Sequence, residues 1–239
     1  MENAIRIFTI LFACLIAFGS ARAGEQQATG ALTTIPVYVT PYYAAAHAGQ
    51  RPQVAVGQAF DALLAEGGPD SLDKVADAIR ARPDLVTPMT MMVLAIRYYD
   101  AGRRDDSVFW FYVAKDRYRS AARVIDFSDP RLADVQAAIR AFVELAGPYI
   151  NGYAFCDIDK QKRLRAEAAD WAVAHPYAAV FSTELPALPG DRSENLEKAN
   201  ARLLRDARDE AEALRNPETR KMIVDGRRQN DADAKYCTR

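Results

Sequence analysis

Residues 88–114 read PMTMMVLAIRYYDAGRRDDSVFWFYVA, two apolar helical stretches joined at Gly102, and this antiparallel pair decides the fold. Gly102 supplies the left-handed backbone that ends one helix and lets the next begin. Ala95, Ser107 and Ala114 are small enough for two helices to approach closely, while Tyr98 and Phe111 fill the space between them. Phe109-Trp110-Phe111-Tyr112 places four aromatics roughly 100° apart around one helix, so they cannot all face one side. The second helix is therefore expected to be buried on several sides and to run on through Lys115-Asp116-Arg117-Tyr118-Arg119.

The same periodicity extends outward. Before the hairpin, QAFDALLAE (58–66) puts Phe60, Leu63 and Leu64 at helical spacing and stops at Gly67-Gly68-Pro69. SLDKVADAIRAR follows, with Asp70 or Ser71 as the cap and Leu72, Val75, Ala76 and Ile79 as one stripe. After it, RLADVQAAIRAFVELAG carries Leu132, Val135, Ala138, Ile139, Phe142 and Val143 on one face. Asp129-Pro130 begins that helix and Gly147-Pro148 is expected to end it. YINGYAFCDID then reads as a compact loop turning at Asn151-Gly152. Asp157 or Asp159 caps a helix whose Leu164, Ala168, Trp171 and Ala172 face inward, closed by His175-Pro176. Residues 177–191, with Pro186, Pro189 and Gly190, read as a linker to one long, charged last helix. Its narrow stripe of Leu196, Ala199, Leu203, Ala207, Ala211 and Leu214 is expected to dock on the same chain. Near the start, Pro36, Pro41 and Pro52 punctuate β-branched and aromatic residues, including Val37, Val39, Tyr42 and Tyr43. They predict a short extended arm across the helical body, with His47 in an exposed turn.

Leu94, Ala95, Tyr98, Gly102, Ser107, Phe111 and Ala114 together resemble a tetratricopeptide- or Sel1-type helical repeat. Ser71, Val75, Ala78 and Pro83 match the second half of a preceding unit, so the resemblance covers about residues 71–114. Arg119 stands where the repeat's closing proline would be, and no further unit follows. The expected fold class is thus mainly α: a compact helical-hairpin, TPR-like domain with a short extended N-terminal arm and a long C-terminal helix. The resemblance implies a protein-binding role, with the partner face on the first helix at Met89, Met92, Ile96, Tyr99 and Asp100.

MENAIRIFTILFACLIAFGSARAG opens the chain with Arg6, an apolar run from Ile7 to Phe18 and an Ala21-Arg22-Ala23 processing site. This is the pattern of a secretory signal peptide cleaved after Ala23. Its run is short of the roughly 20 apolar residues that span a bilayer. Lipoprotein processing at Cys14 fits poorly, because Leu15-Ile16-Ala17-Phe18 continues the apolar run past the cysteine. The organisation expected is signal peptide 1–23, polar leader 24–34, helical domain with its arm 35–190, and charged C-terminal helix and tail 191–239. Removing residues 1–23 takes away Glu2, Arg6 and Arg22, leaving 29 basic and 31 acidic residues and a formal charge of −2. Such balance gives no pull toward nucleic acid, and no later stretch reads as an integral membrane segment.

Beyond the leader, Cys156 and Cys237 are the two cysteines in a chain expected to enter an oxidising compartment, and one bridge is the simplest pairing. The competing reading makes Cys156 the nucleophile of a hydrolase with His175 as its base. His175, at a helix end, fits better as a partner of the helix dipole. His47 and His175 form no HExxH-type pair, and neither GxGxxG nor a P-loop occurs, so no metal or cofactor is expected. Ser71-Leu72-Asp73-Lys74 matches a bare SxxK pattern without its companion motifs. The functional expectation is an exported, periplasmic protein-binding or scaffold protein without catalytic activity. Its alternatives are an immunity-type inhibitor of a periplasm-targeted enzyme and the Cys156–His175 hydrolase.

Overall fold

The computed structural model describes residues 60–237. The signal peptide, Cys14, the proline-punctuated arm and His47 lie outside the described residues. What is described is helical. α1 (Asp61–Glu66) stops at Gly67, whose φ of 66° is the left-handed conformation that glycine adopts without steric penalty. α2 (Pro69–Ala81) starts with Pro69 at its first position and Gly68 as N-cap, rather than with the Asp70 or Ser71 cap expected. Ser71 is the third residue of the helix and is buried. The stripe of Leu72, Val75, Ala76 and Ile79 is completely buried, as its spacing requires.

Thr87 caps α3 (Pro88–Asp100), its hydroxyl accepting from the Thr90 N–H at 3.1 Å. Gly102 then turns the chain with φ 78° into α4 (Arg104–Ala121). The α4 helix runs through Arg119, as expected, and is the centre of the molecule. It packs along α3 and also against α5 (Ala133–Ala154), α6 (Ile158–Ala174) and α7 (Arg192–Ala213). That environment accounts for its aromatic run: Trp110 and Phe111 have no exposure, Tyr112 is buried and Phe109 is half-buried. Trp110 meets Trp171 of α6 edge to face at 5.6 Å. Each such burial stabilises the fold by about 1.5–3 kcal/mol.

Two boundaries differ from the sequence expectation. Helix α5 does not end at Gly147-Pro148; it continues through Asn151-Gly152 to Ala154. Proline deletes one backbone hydrogen bond, and burial of Ala146, Gly147, Ile150 and Ala154 offsets that loss. A Cβ at Gly147 would lie 3.8 Å from the Phe111 ring, so the small residue lets α5 sit close to α4. The charged C-terminal region is likewise three helices instead of one. After α7 the chain breaks at Asn216-Pro217, and Asn216 caps α8 (Pro217–Gln229) through the Glu218 and Thr219 N–H groups. α9 (Ala232–Tyr236) ends the described chain. α7 docks on the body through Leu196, Ala199, Leu203 and Ala207, as its stripe predicts. The linker before it is pinned. Arg192 donates to the Val180 and Leu185 carbonyls at 2.7 and 2.6 Å, and Ile125 and Ala187 form an isolated antiparallel bridge.

Candidate functional site

The first-helix face that the repeat resemblance implies for a partner is inside the protein. Met89, Met92, Ile96 and Tyr99 are 6, 3, 1 and 0% exposed and belong to the main core cluster. Asp100, last on the helix, is half-buried. Over Tyr99 the covering element is α5, whose extra turns beyond Pro148 bring Tyr149 edge to face with it at 6.2 Å. The Arg104 guanidinium lies 4.9 Å from the Tyr99 ring centre. Burial pushes the Tyr99 hydroxyl up to about 12. No partner can reach this face in the structure described.

The two cysteines are bridged. Cys156, just past α5, is joined to Cys237 at an S–S distance of 1.97 Å, closing a loop across 81 positions. Both sulfurs are thereby committed, and Cys156 holds no thiol nucleophile. His175 stands at the far end of α6, a 17-residue helix about 25 Å long. There its ring stacks on Trp171 at 4.4 Å, with Nδ1 2.8 Å from the Trp171 carbonyl. The structure does not bring Cys156 and His175 together.

Around the bridge a clasp forms that sequence reading did not find. Arg227 of α8 donates to the Gly152 carbonyl at 2.9 Å and to Asp233 at 2.8 Å, and its Nη2 lies 3.3 Å from Cys156 Sγ and 3.1 Å from Cys237 Sγ. The Tyr236 ring covers Gly152 so closely that a Cβ there would stand 2.6 Å from it. Tyr236 also meets Tyr149 edge to face, and its carbonyl accepts from Arg104 at 3.1 Å. Beside them Tyr153 donates to Asp105, which pairs with Lys160, both at 2.8 Å.

A second polar set knits α4, α5, α6 and α7 together. Asp116 pairs with Arg165, both buried, and Arg165 reaches Glu210 at 3.4 Å. Gln161 donates to Glu210 at 2.9 Å, and the Tyr112 hydroxyl donates to Asn151 at 3.2 Å. Burial raises the Asp116 carboxyl against the pull of Arg165. Arg117 is as deeply buried, between Trp171 and Tyr177, and donates to the carbonyls of Pro83, Val86 and His175. Its lost hydration brings the guanidinium down to about 10. Asp116, Arg165, Gln161 and Arg117 are buried, while Glu210 and Asn151 are partly exposed, and the bonds of the set join helices to one another.

An open, partly apolar surface lies elsewhere, along α7. Val173, Phe181, Leu196, Ala201 and Leu204 line an open apolar groove between α6, the 3-10 turn Ala178–Phe181 and α7, with Ser193, Glu197 and Asn200 at its rim. Phe181 is 47% exposed. Its position in a proline-rich segment that reads as a linker gave no sign of this. Among the described residues no group of three or more His, Cys, Asp or Glu is placed to hold a metal ion. No described helix is long and apolar enough to cross a membrane.

No family model matches the chain, and no solved structure matches it. A Haemophilus influenzae protein, described as an uncharacterized protein, is 33% identical over 204 residues, which cover 85% of this chain and 79% of the relative.

Proposed function

The chain belongs to the family of that Haemophilus influenzae protein, and we propose that it is an exported protein-binding or scaffold protein, without catalysis of its own, that engages another protein through the groove along α7. The observation that carries the reading is Phe181: a large apolar side chain nearly half exposed inside a groove of apolar neighbours with a polar rim. Phe181 is contiguous with half-buried Val173 and Leu204, and contiguous apolar surface marks interaction sites, whereas a lone exposed leucine is ordinary. The signal-peptide pattern at residues 1–23 supports export to the periplasm, and the Cys156–Cys237 bridge is compatible with an oxidising compartment. Near-neutral charge favours a protein partner over nucleic acid.

Phe181→Asp tests this reading. The side chain is at the surface, so the variant keeps its fold, checked by circular dichroism, while a charge enters the groove. Envelope extract is passed over wild-type and variant bait. The expected result is a partner retained by the wild type and reduced at least about tenfold on the variant, the loss of a central apolar anchor. Equal recovery on both, or recovery on neither, rules the groove out.

A further inference from the structure

Helix α8 is held to the protein without a core. None of its residues is buried, and Met222 and Val224 are 50 and 46% exposed. Its contacts with the body are polar: Arg220 reaches Asp159 and the Leu214 carbonyl, and Arg227 reaches the Gly152 carbonyl. A free helix of its 13 residues is marginal in water, so its order depends on what ties it down. Arg220 ties its near end, and its far end is tied through the α9 tail that follows, where Tyr236 covers Gly152 and Cys237 is bonded to Cys156. Among the described residues, Asp233 lies 3.5 Å from Cys237 Sγ alone, and Arg227, its ion-pair partner, is set against both sulfurs with 12% of its side chain exposed. A guanidinium in that position stabilises the thiolate that leaves when a disulfide is attacked.

We propose that Cys156–Cys237 is a redox-released clasp, opened by a dithiol reductant, and that its opening frees the strap of residues 217–237 from the end of α5. The reductant's thiolate attacks one cysteine sulfur and forms a mixed disulfide. The S–S electron pair departs on the other sulfur as a thiolate beside Arg227. The reductant's second sulfur then displaces the first cysteine. The dithiol ends as a disulfide, and its two protons pass to Cys156 and Cys237. Release uncovers Tyr149, Gly152 and Arg104, an aromatic and cationic face that Tyr236 of the strap covers while the bridge is closed. The clasp is independent of the α7 groove.

Amide hydrogen exchange on the purified chain, with and without dithiothreitol, tests the release. Protection of residues 217–237 is expected to fall at least about tenfold on reduction while α3 and α4 keep theirs, because only the strap depends on the bridge. Unchanged protection of the strap overturns the proposal, as does equal loss from α4, which would make the bridge a global brace. The role of Arg227 is read from the rate of reduction: R227Q is expected to slow it by on the order of tenfold, with R227K close to wild type. A rate in R227Q equal to or faster than that in R227K removes Arg227 from the mechanism.

Discussion

Gly152 is glycine because Tyr236 lies on it. A Cβ there would meet the ring at 2.6 Å, against atoms at the root of the ring instead of its flexible end. Gly152→Ala is therefore expected to lower stability by about 1–2 kcal/mol in urea titration, with most of the loss gone in a Y236A background. Arg117 is a different case, a buried cation whose direct acceptors are backbone carbonyls. Arg117→Met leaves the Pro83, Val86 and His175 carbonyls without their donor and is expected to cost about 3 kcal/mol, read as a shift of the denaturation midpoint. At the hairpin turn, Arg103 makes a paired contact with Asp73 at 2.9 Å, and Tyr98 donates to the same carboxylate at 2.8 Å. These bonds hold the Asp73 carboxyl below its ordinary range, Arg103 contributing most. A lowered folded-state pKa means the stabilisation is present above the unfolded value near pH 4 and is lost as pH falls through the folded one. Asp73 is half exposed, so solvent limits the effect to about 1 kcal/mol or less. D73N should be less stable than wild type at about pH 7, with the difference closing as pH falls below the unfolded carboxyl value near 4.

At the scale of elements, the hairpin was legible because glycine, small residues and aromatics each have a local reason to be where they are. The stripes of α2 and α7 were legible from spacing alone. Local signals failed where tertiary packing overrode them. Gly147-Pro148 is a stop signal in an isolated chain, yet α5 continues because its next two turns bury Ile150 and Ala154 and bring Tyr149 over Tyr99. The repeat resemblance alone assigns the face at Met89, Met92 and Tyr99 to a partner, and that pattern carries no information about α5 lying over Tyr99. The proline still costs the helix a donor to the Glu144 carbonyl. Pro148→Ala is expected to raise stability by roughly 1 kcal/mol, seen as a higher melting temperature, since Pro148 is exposed and alanine restores the bond. A helix that ended at Gly147 would show no such gain. The clasp was half legible: two cysteines announced a bridge, but the path of the tail over Gly152 depends on contacts between residues far apart in sequence.

For the molecule as a whole, tyrosines report how tightly the helices close around α4. Burial pushes Tyr99 and Tyr177 up to about 12, and Tyr98 and Tyr112 are raised further by burial and, for Tyr98, by its bond to Asp73. Raised folded-state values mean that their contribution is whole below about pH 10 and is lost as pH climbs toward 12. Phenolate absorbance should therefore rise in two stages, the second coinciding with loss of helical circular dichroism. The same closure buries the first-helix face of α3, and the proposed recognition therefore falls on the α7 groove. The most direct measurement is photocrosslinking in living cells with a photoreactive residue in place of Phe181, compared with the same residue at Leu145, an exposed position on α5. The proposal predicts one discrete protein adduct from position 181 and none from 145; no adduct at 181, or the same adducts from both, would contradict it.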